Sequence, residues 1–155
     1  MYWRDRALAH GDPKKRALEA IVREGREPGL LAYDAGVAAG WVSVAPREEF
    51  RAILRSPQYR PREAGGGSSV WSIVCFAIDP DHRRQGLAAE LLDAAVAHAF
   101  GHGATSIEAY PHVASRSDYM GHVDLYESAG FVHVRDANKR MIVRLERASL
   151  PTAAT

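Results

Sequence analysis

The stretch from Val70 to Phe100 constrains the fold most. Val70-Trp71-Ser72-Ile73-Val74-Cys75-Phe76-Ala77-Ile78 is nearly unbroken in apolar residues, which predicts a strand buried on both faces. Asp79-Pro80 ends it. Leu87 to Phe100 predicts a helix, with Ala88, Leu91, Leu92, Ala95, Val96 and Ala99 along one face and Gly101 and Gly103 as its stop. Between them a polar turn ends in Gly86. The first amides of a helix have no partner within it and sit at its positive dipole end. A glycine there removes the Cβ that would hold an anion away. Arg83 and Arg84 add charge beside it. A phosphate site at the end of a buried strand is the expectation. The spacing matches neither G-x-x-x-x-G-K-[ST] nor G-x-G-x-x-G, which argues against nucleoside triphosphates and dinucleotides.

The rest of the chain is shorter-ranged. Met1 to Arg4 reads as a short strand, and Pro13 to Glu24 as a helix capped by Asp12. Leu30 to Tyr33 and Val37 to Val44 predict a hairpin around Asp34-Ala35-Gly36. Glu48 to Arg55 predicts a short helix, and Arg60 to Ser69 a loop rich in breakers. Ala104 to Tyr110 predicts another strand. Ser115 to Ser117 cap a helix reaching Ser128, and Phe131–Val134 and Met141–Leu145 form a last hairpin. The order β-β-α-β-α-β-α-β-β predicts an α/β fold with a mixed central β-sheet flanked by helices. Its 155 residues suit a single domain over 1–147, with 148–155 a frayed tail.

Composition excludes more than it assigns. Twenty Lys+Arg against 19 Asp+Glu gives no global pull toward nucleic acid or anionic membrane. No apolar run is long enough to span a bilayer, and charges in the first residues disfavour a signal peptide. A single cysteine, Cys75, suits a reducing, cytoplasmic setting and reads as a small buried residue of the central strand. His98 and His102 share i, i+4 spacing, but no glutamate follows His98 and the sequence offers no third ligand. No metal is therefore expected.

Two motifs, in order, carry a resemblance. Arg83-Arg84-Gln85-Gly86-Leu87-Ala88 fits [QR]-x-x-G-x-[GA], preceded by Ile78-Asp79-Pro80, and Leu125-Tyr126-Glu127-Ser128-Ala129-Gly130-Phe131 fits L-Y-x-x-x-G-F. Both resemble the GNAT superfamily of N-acetyltransferases, over roughly Leu30 to Glu146. The resemblance implies a GNAT-type fold and acetyl-CoA as cosubstrate. The pantetheine arm would pair with backbone groups of Phe76, Ala77 and Ile78. The pyrophosphate would rest on the amides of Arg83, Arg84, Gln85, Gly86, Leu87, Ala88 and Ala89. It also implies direct attack by an amine in a ternary complex, with Tyr126 protonating the departing thiolate, and leaves a homodimer open. Where the family often has Asn seven residues before that tyrosine, this chain has Tyr119.

The base and the acceptor are less defined. Val70 to Ile78 holds no carboxylate, whereas Glu108 lies mid-strand, where a cleft would raise its pKa toward a useful value. Glu108 is the expected general base. His122, four residues before Tyr126 and so expected on its helical face, is the next candidate, and an unassisted amine the third. The expected acceptor is a small-molecule amine, in a cleft built by residues 13–27 and 48–69. Alternatives are a protein or aminoacyl-tRNA amine, or a non-catalytic acyl-CoA-binding module. Arg47, Arg51, Arg55, Arg60 and Arg62 would meet phosphate in the macromolecular case, but Glu48, Glu49 and Glu63 dilute them to a solvated face.

Overall fold

A computed structural model describes residues 1–62, 69–114 and 119–147. Helix α1 (Asp12–Arg23) precedes the hairpin of β1 (Leu30–Asp34) and β2 (Val37–Pro46). A 3-10 turn (Arg47–Glu49) and α2 (Arg51–Arg55) lead to β3 (Val70–Ile78). A second 3-10 turn (Pro80–His82) leads into α3 (Leu87–Gly101), then β4 (Ser106–Ala109), α4 (Val123–Ser128), β5 (Val132–Ala137) and β6 (Arg140–Glu146). The six strands form one mixed sheet in the order β1-β2-β3-β4-β6-β5. Only β3 and β4 run parallel, because α3 carries the chain back between them; every other neighbouring pair is antiparallel.

Each sheet face has its own core. On one side α3 and α4 cover Val42, Val44, Trp71, Ile73 and Phe76. Gly40 admits α3 closely: a Cβ there would stand 3.0 Å from Leu91 and 3.2 Å from Leu87. On the other side Ala45, Phe50, Ile53, Val74, Tyr110 and Ile142 pack with Trp3 and Tyr59. A bulge in β3 links the two. Ser43 faces Cys75 while Val44 faces Ile73, so Val74 is an extra residue. Alternation restarts there. Phe76 joins Trp71 and Ile73 on the α3 side, while Val74 and Cys75 both contribute to the opposite one.

Several local expectations are corrected. Met1 to Arg4 is a turn, not a strand, with the amides of Arg4 and Asp5 on the Met1 carbonyl. Trp3 anchors it, stacked on Tyr110 with ring centroids 6.5 Å apart. Gly11, at φ +83°, caps α1 in place of Asp12, and Pro13 fits inside the first turn because its missing amide would be unpaired anyway. The expected helix from Glu48 breaks at Phe50, whose side chain is wholly buried. Helix α4 begins at Val123 with His122 as its cap. The expected cap at 115–117, part of the 60–69 loop and the 148–155 tail lie outside the described residues. Among the described residues no helix is long and apolar enough to cross a membrane.

Candidate active site

The turn after β3 is held open by its own side chains. Asp79 Oδ1 accepts from the Asp81 amide at 2.9 Å, and Gln85 Nε2 donates to the Asp81 carbonyl at 2.8 Å. His82 bridges Asp79 and Asp34 at 3.4 and 3.1 Å, tying the turn to the tip of the first hairpin. Those two hydrogen bonds, Asp34's first, raise the His82 pKa. Arg84 (φ +60°) and Gly86 (φ +88°) both adopt left-handed backbone, which curls successive amides toward one concavity. Among the described residues the amides of Arg84, Gln85, Gly86, Leu87 and Ala88 have no hydrogen-bond acceptor. The expected run is narrower than the sequence implied. The Ala89 amide is taken by the Gly86 carbonyl at 2.9 Å, and the Arg83 amide lies 3.4 Å from the Pro80 carbonyl. The Arg83 guanidinium donates through Nε to the Ile78 carbonyl at 3.2 Å.

Beside this turn the sheet opens. The β3–β4 ladder ends at Ile73 and Ala109, next to the Val74 bulge, so β3 runs on to Ile78 without β4. The Asp79 amide bonds the Ala39 carbonyl, which fixes the alternation: Ala77 turns its polar groups to β2, and Phe76 and Ile78 turn theirs to the open edge. Ala77 is thereby corrected as a partner for the donor arm. The Phe76 amide is already engaged, donating to the Tyr119 carbonyl at 2.6 Å. Tyr126 lies beneath that contact, wholly buried between Phe76 and Phe131, its hydroxyl donating to the Met120 carbonyl at 2.7 Å. Gly121, at φ +81°, lets the backbone pass over the ring; a Cβ there would stand 2.9 Å from it.

Glu108 is not in an open cleft. The ladder sets Ser72, Glu108 and Arg144 side by side. The Glu108 carboxylate, 4% exposed, accepts from Arg47 (3.0 Å), Arg144 (2.7 and 3.3 Å) and the Tyr110 hydroxyl (3.1 Å). Burial alone would raise its pKa, but the bonds and charges of Arg144 and Arg47 outweigh burial and hold it below the usual carboxylate value. The direction is opposite to the one expected of a base in a cleft. Arg47 accordingly leaves the expected solvated arginine face. His122 is also occupied. Its Nδ1 accepts from the Asp124 amide at 3.2 Å as the cap of α4, so it precedes the helix rather than sharing a face with Tyr126.

A cavity of about 700 Å³ opens on the sheet face opposite α3. Trp3, Arg6, Trp41, Tyr59, Cys75 and Tyr119 line it, with Arg4 and Arg140, and among the described residues no carboxylate does. Cys75, half-buried, faces this space because of the Val74 bulge. Of the two segments expected to build the cleft, residues 13–27 supply only Leu18, and residues 48–69 supply Phe50, Ser56, Gln58 and Tyr59. Met1 to Arg6 supplies as many, Met1, Tyr2, Trp3, Arg4 and Arg6, which the sequence reading missed. A Trp beside arginines at the chain start was the available signal. A second cavity, also about 700 Å³, adjoins it and carries Arg51 and Arg55.

The sequence model of the acetyltransferase (GNAT) family matches residues 1–131. No curated protein sequence matches the chain. Among solved structures it is similar to the ribosomal-protein-alanine N-acetyltransferase of Brucella melitensis, at 15% identity and a TM-score of 0.60, covering 92% of this chain and 82% of that one. It is also similar to yncA of Salmonella typhimurium, solved with its cofactor acetyl-CoA, at 19% identity and 0.58, covering 94% and 81%. Ard1 of Thermoplasma volcanium follows at 15% and 0.56, covering 91% and 84%. At these identities the likeness is one of fold.

Proposed function

Because the chain belongs to the acetyltransferase (GNAT) family, we propose that it transfers the acetyl group of acetyl-CoA to a primary amine of a small molecule, by direct attack in a ternary complex. The observation that carries this reading is the meeting of two spaces along β3: open amides at its C-terminal end, and an aromatic and arginine-lined cavity at its bulge. The donor's pyrophosphate rests on the amides of Arg84 to Ala88. Its pantetheine arm lies along the free edge of β3 and replaces the Tyr119 carbonyl on the Phe76 amide. The acceptor occupies the cavity, whose volume falls within the ~300–1,000 Å³ of small-molecule sites.

The neutral acceptor nitrogen attacks the thioester carbon, the C–S bond breaks, the nitrogen sheds its surplus proton to solvent, from which the phenolate of the acid is later reprotonated, and the thiolate takes a proton. Tyr126 supplies it, its hydroxyl already oriented as a donor toward Met120. Both candidate bases are engaged elsewhere. Glu108 is shared by two arginines. His122 is held at the start of α4 through Nδ1, which lies 3.2 Å from the Asp124 amide and 3.4 Å from the Asp124 carboxylate. The acceptor therefore enters as the neutral amine, and kcat/KM rises with pH up to that amine's own pKa. The test is CoA release and acceptor mass after incubation with acetyl-CoA and small amines, peptides or aminoacyl-tRNA. Turnover of small amines supports the reading. Acetylation of peptides or tRNA alone overturns the acceptor class, and acetyl-CoA binding without any turnover overturns the enzyme.

A further inference from the structure

Three side chains converge at the end of α3 remote from the turn: His98 in its last turn, His102 as its cap, and Glu27 from the connector between α1 and β1. Their ligand atoms lie within 4.8 Å of one another. We propose that Glu27, His98 and His102 form a divalent-metal site, filled by zinc, with a water as fourth ligand.

The geometry fits an ion better than an ion pair. Glu27 Oε2 lies 3.5 Å from His98 Nε2 and 3.7 Å from His102 Nε2, both too long for a good hydrogen bond. Zinc bonds of about 2.0–2.1 Å give a tetrahedron with edges of about 3.3–3.4 Å, so the two Glu27 edges close with a few tenths of an ångström, and the histidine–histidine edge, within 4.8 Å, closes by turning the half-exposed His102 ring. His98 Nε2 is buried and has no hydrogen-bond partner, a state an ion would relieve. His102 Nδ1 lies 2.8 Å from the His98 carbonyl, and a carbonyl only accepts. Nδ1 therefore carries the proton and Nε2 presents its lone pair, the arrangement that orients histidines around zinc. Trp71 flanks both rings, at 5.7 and 6.0 Å, and the C-terminal end of a helix favours a cation. Glu27 and His102 are more than half exposed, so an ion and its water have access.

The ion would act as a clamp on the connector. Pro28, beside Glu27, accepts hydrogen bonds from Arg4 and Ser43, both of which line the proposed acceptor cavity. The full chain, freed of any affinity tag and stripped with a chelator, is titrated with Co²⁺ and then Zn²⁺. One equivalent of Co²⁺ should give intense visible bands of four-coordinate cobalt, abolished by Zn²⁺, and Zn²⁺ should raise Tm. His102→Ala, at a half-exposed position, should leave the fold intact and weaken binding by more than the roughly 10- to 100-fold lost with an outer-shell partner. Glu27→Gln should weaken it as well. Absence of stoichiometric binding, or unchanged affinity in His102→Ala, overturns the site. Neither result bears on acetyl transfer.

Discussion

The turn after β3 and the cluster around Glu108 are both dense in polar groups, yet they are satisfied in opposite ways. The turn spends its side chains on shaping the backbone and leaves the amides of Arg84 to Ala88 without acceptors among the described residues. The cluster uses Arg47, Arg144 and Tyr110 to saturate one carboxylate. Under the proposed function, the open donors of the turn meet the pyrophosphate of acetyl-CoA. A carboxylate with every lone pair engaged holds strands together. Position alone, one group mid-strand and the other at a strand end, does not separate these roles; the inventory of partners does.

The contrast is most exposed to Glu108→Gln. Removing one member of a buried ionic cluster takes the buried carboxylate away from Arg47 and from Arg144, which keeps Glu146 at 3.7 Å, at an expected cost of about 3–5 kcal/mol in urea unfolding. Because the native Glu108 pKa lies below its ordinary 4.5, its stabilisation is present above that value and lost as pH falls through the lower native one. The gap between wild type and variant should close on acidification, while the pH profile of kcat/KM stays superimposable. A stable variant with a shifted profile would make Glu108 a working base. On the other side of the comparison, Gly86→Asp should cost about 100-fold or more in acetyl-CoA affinity, ~2.8 kcal/mol by calorimetry. A Cβ at Gly86 meets nothing within 4 Å, and Asp tolerates a positive φ better than most residues, so the loss reports charge rather than misfolding. Undiminished affinity in the folded variant would leave the amides without a ligand.

Smaller effects sharpen the picture. Tyr126→Phe should lower kcat by about 100-fold with acetyl-CoA affinity nearly unchanged. Stability should fall by about 1 kcal/mol as the Met120 carbonyl loses its donor. Unchanged kcat with that stability loss would make the tyrosine a packing residue. The weakest effect concerns His82. Its raised pKa means the tie to Asp34 and Asp79 is complete below its ordinary 6.5 and is lost as pH rises through the higher folded value. Acetyl-CoA affinity should decline over that interval by less than about fivefold, as for exposed ion pairs. The decline should vanish in His82→Ala; its persistence there would place the titration elsewhere.

What the sequence made legible was what the backbone decides locally. The nearly unbroken apolar run of β3, the glycine at 86 and the spacing along α3 each act within a few residues, and the proposed phosphate cradle was readable from them, as the first hairpin was from the Asp34-Ala35-Gly36 turn. The missed features depend on partners far along the chain. Nothing in Arg47 announces a burial against Glu108, and the 48–55 helix breaks because Phe50 turns into a core assembled by other strands. The Val74 bulge leaves no trace in a largely apolar strand, yet it decides that Cys75 faces the cavity. The histidines at 98 and 102 were visible as a pair, whereas Glu27 joins them only through the fold.

The Phe76 amide has a partner before any donor arrives, the Tyr119 carbonyl at 2.6 Å. Under the proposed donor pose, binding is then an exchange, with one hydrogen bond surrendered as another forms, and that amide adds little net affinity. The grip on the donor must come from the phosphate end, so affinity belongs to the turn while the edge of β3 sets timing. Association should saturate with donor concentration at the rate at which the 119–121 backbone releases Phe76, and the same release frees the Met120 carbonyl from the Tyr126 hydroxyl. One segment of chain would thus gate both the seat of the thioester and the acid that completes its cleavage.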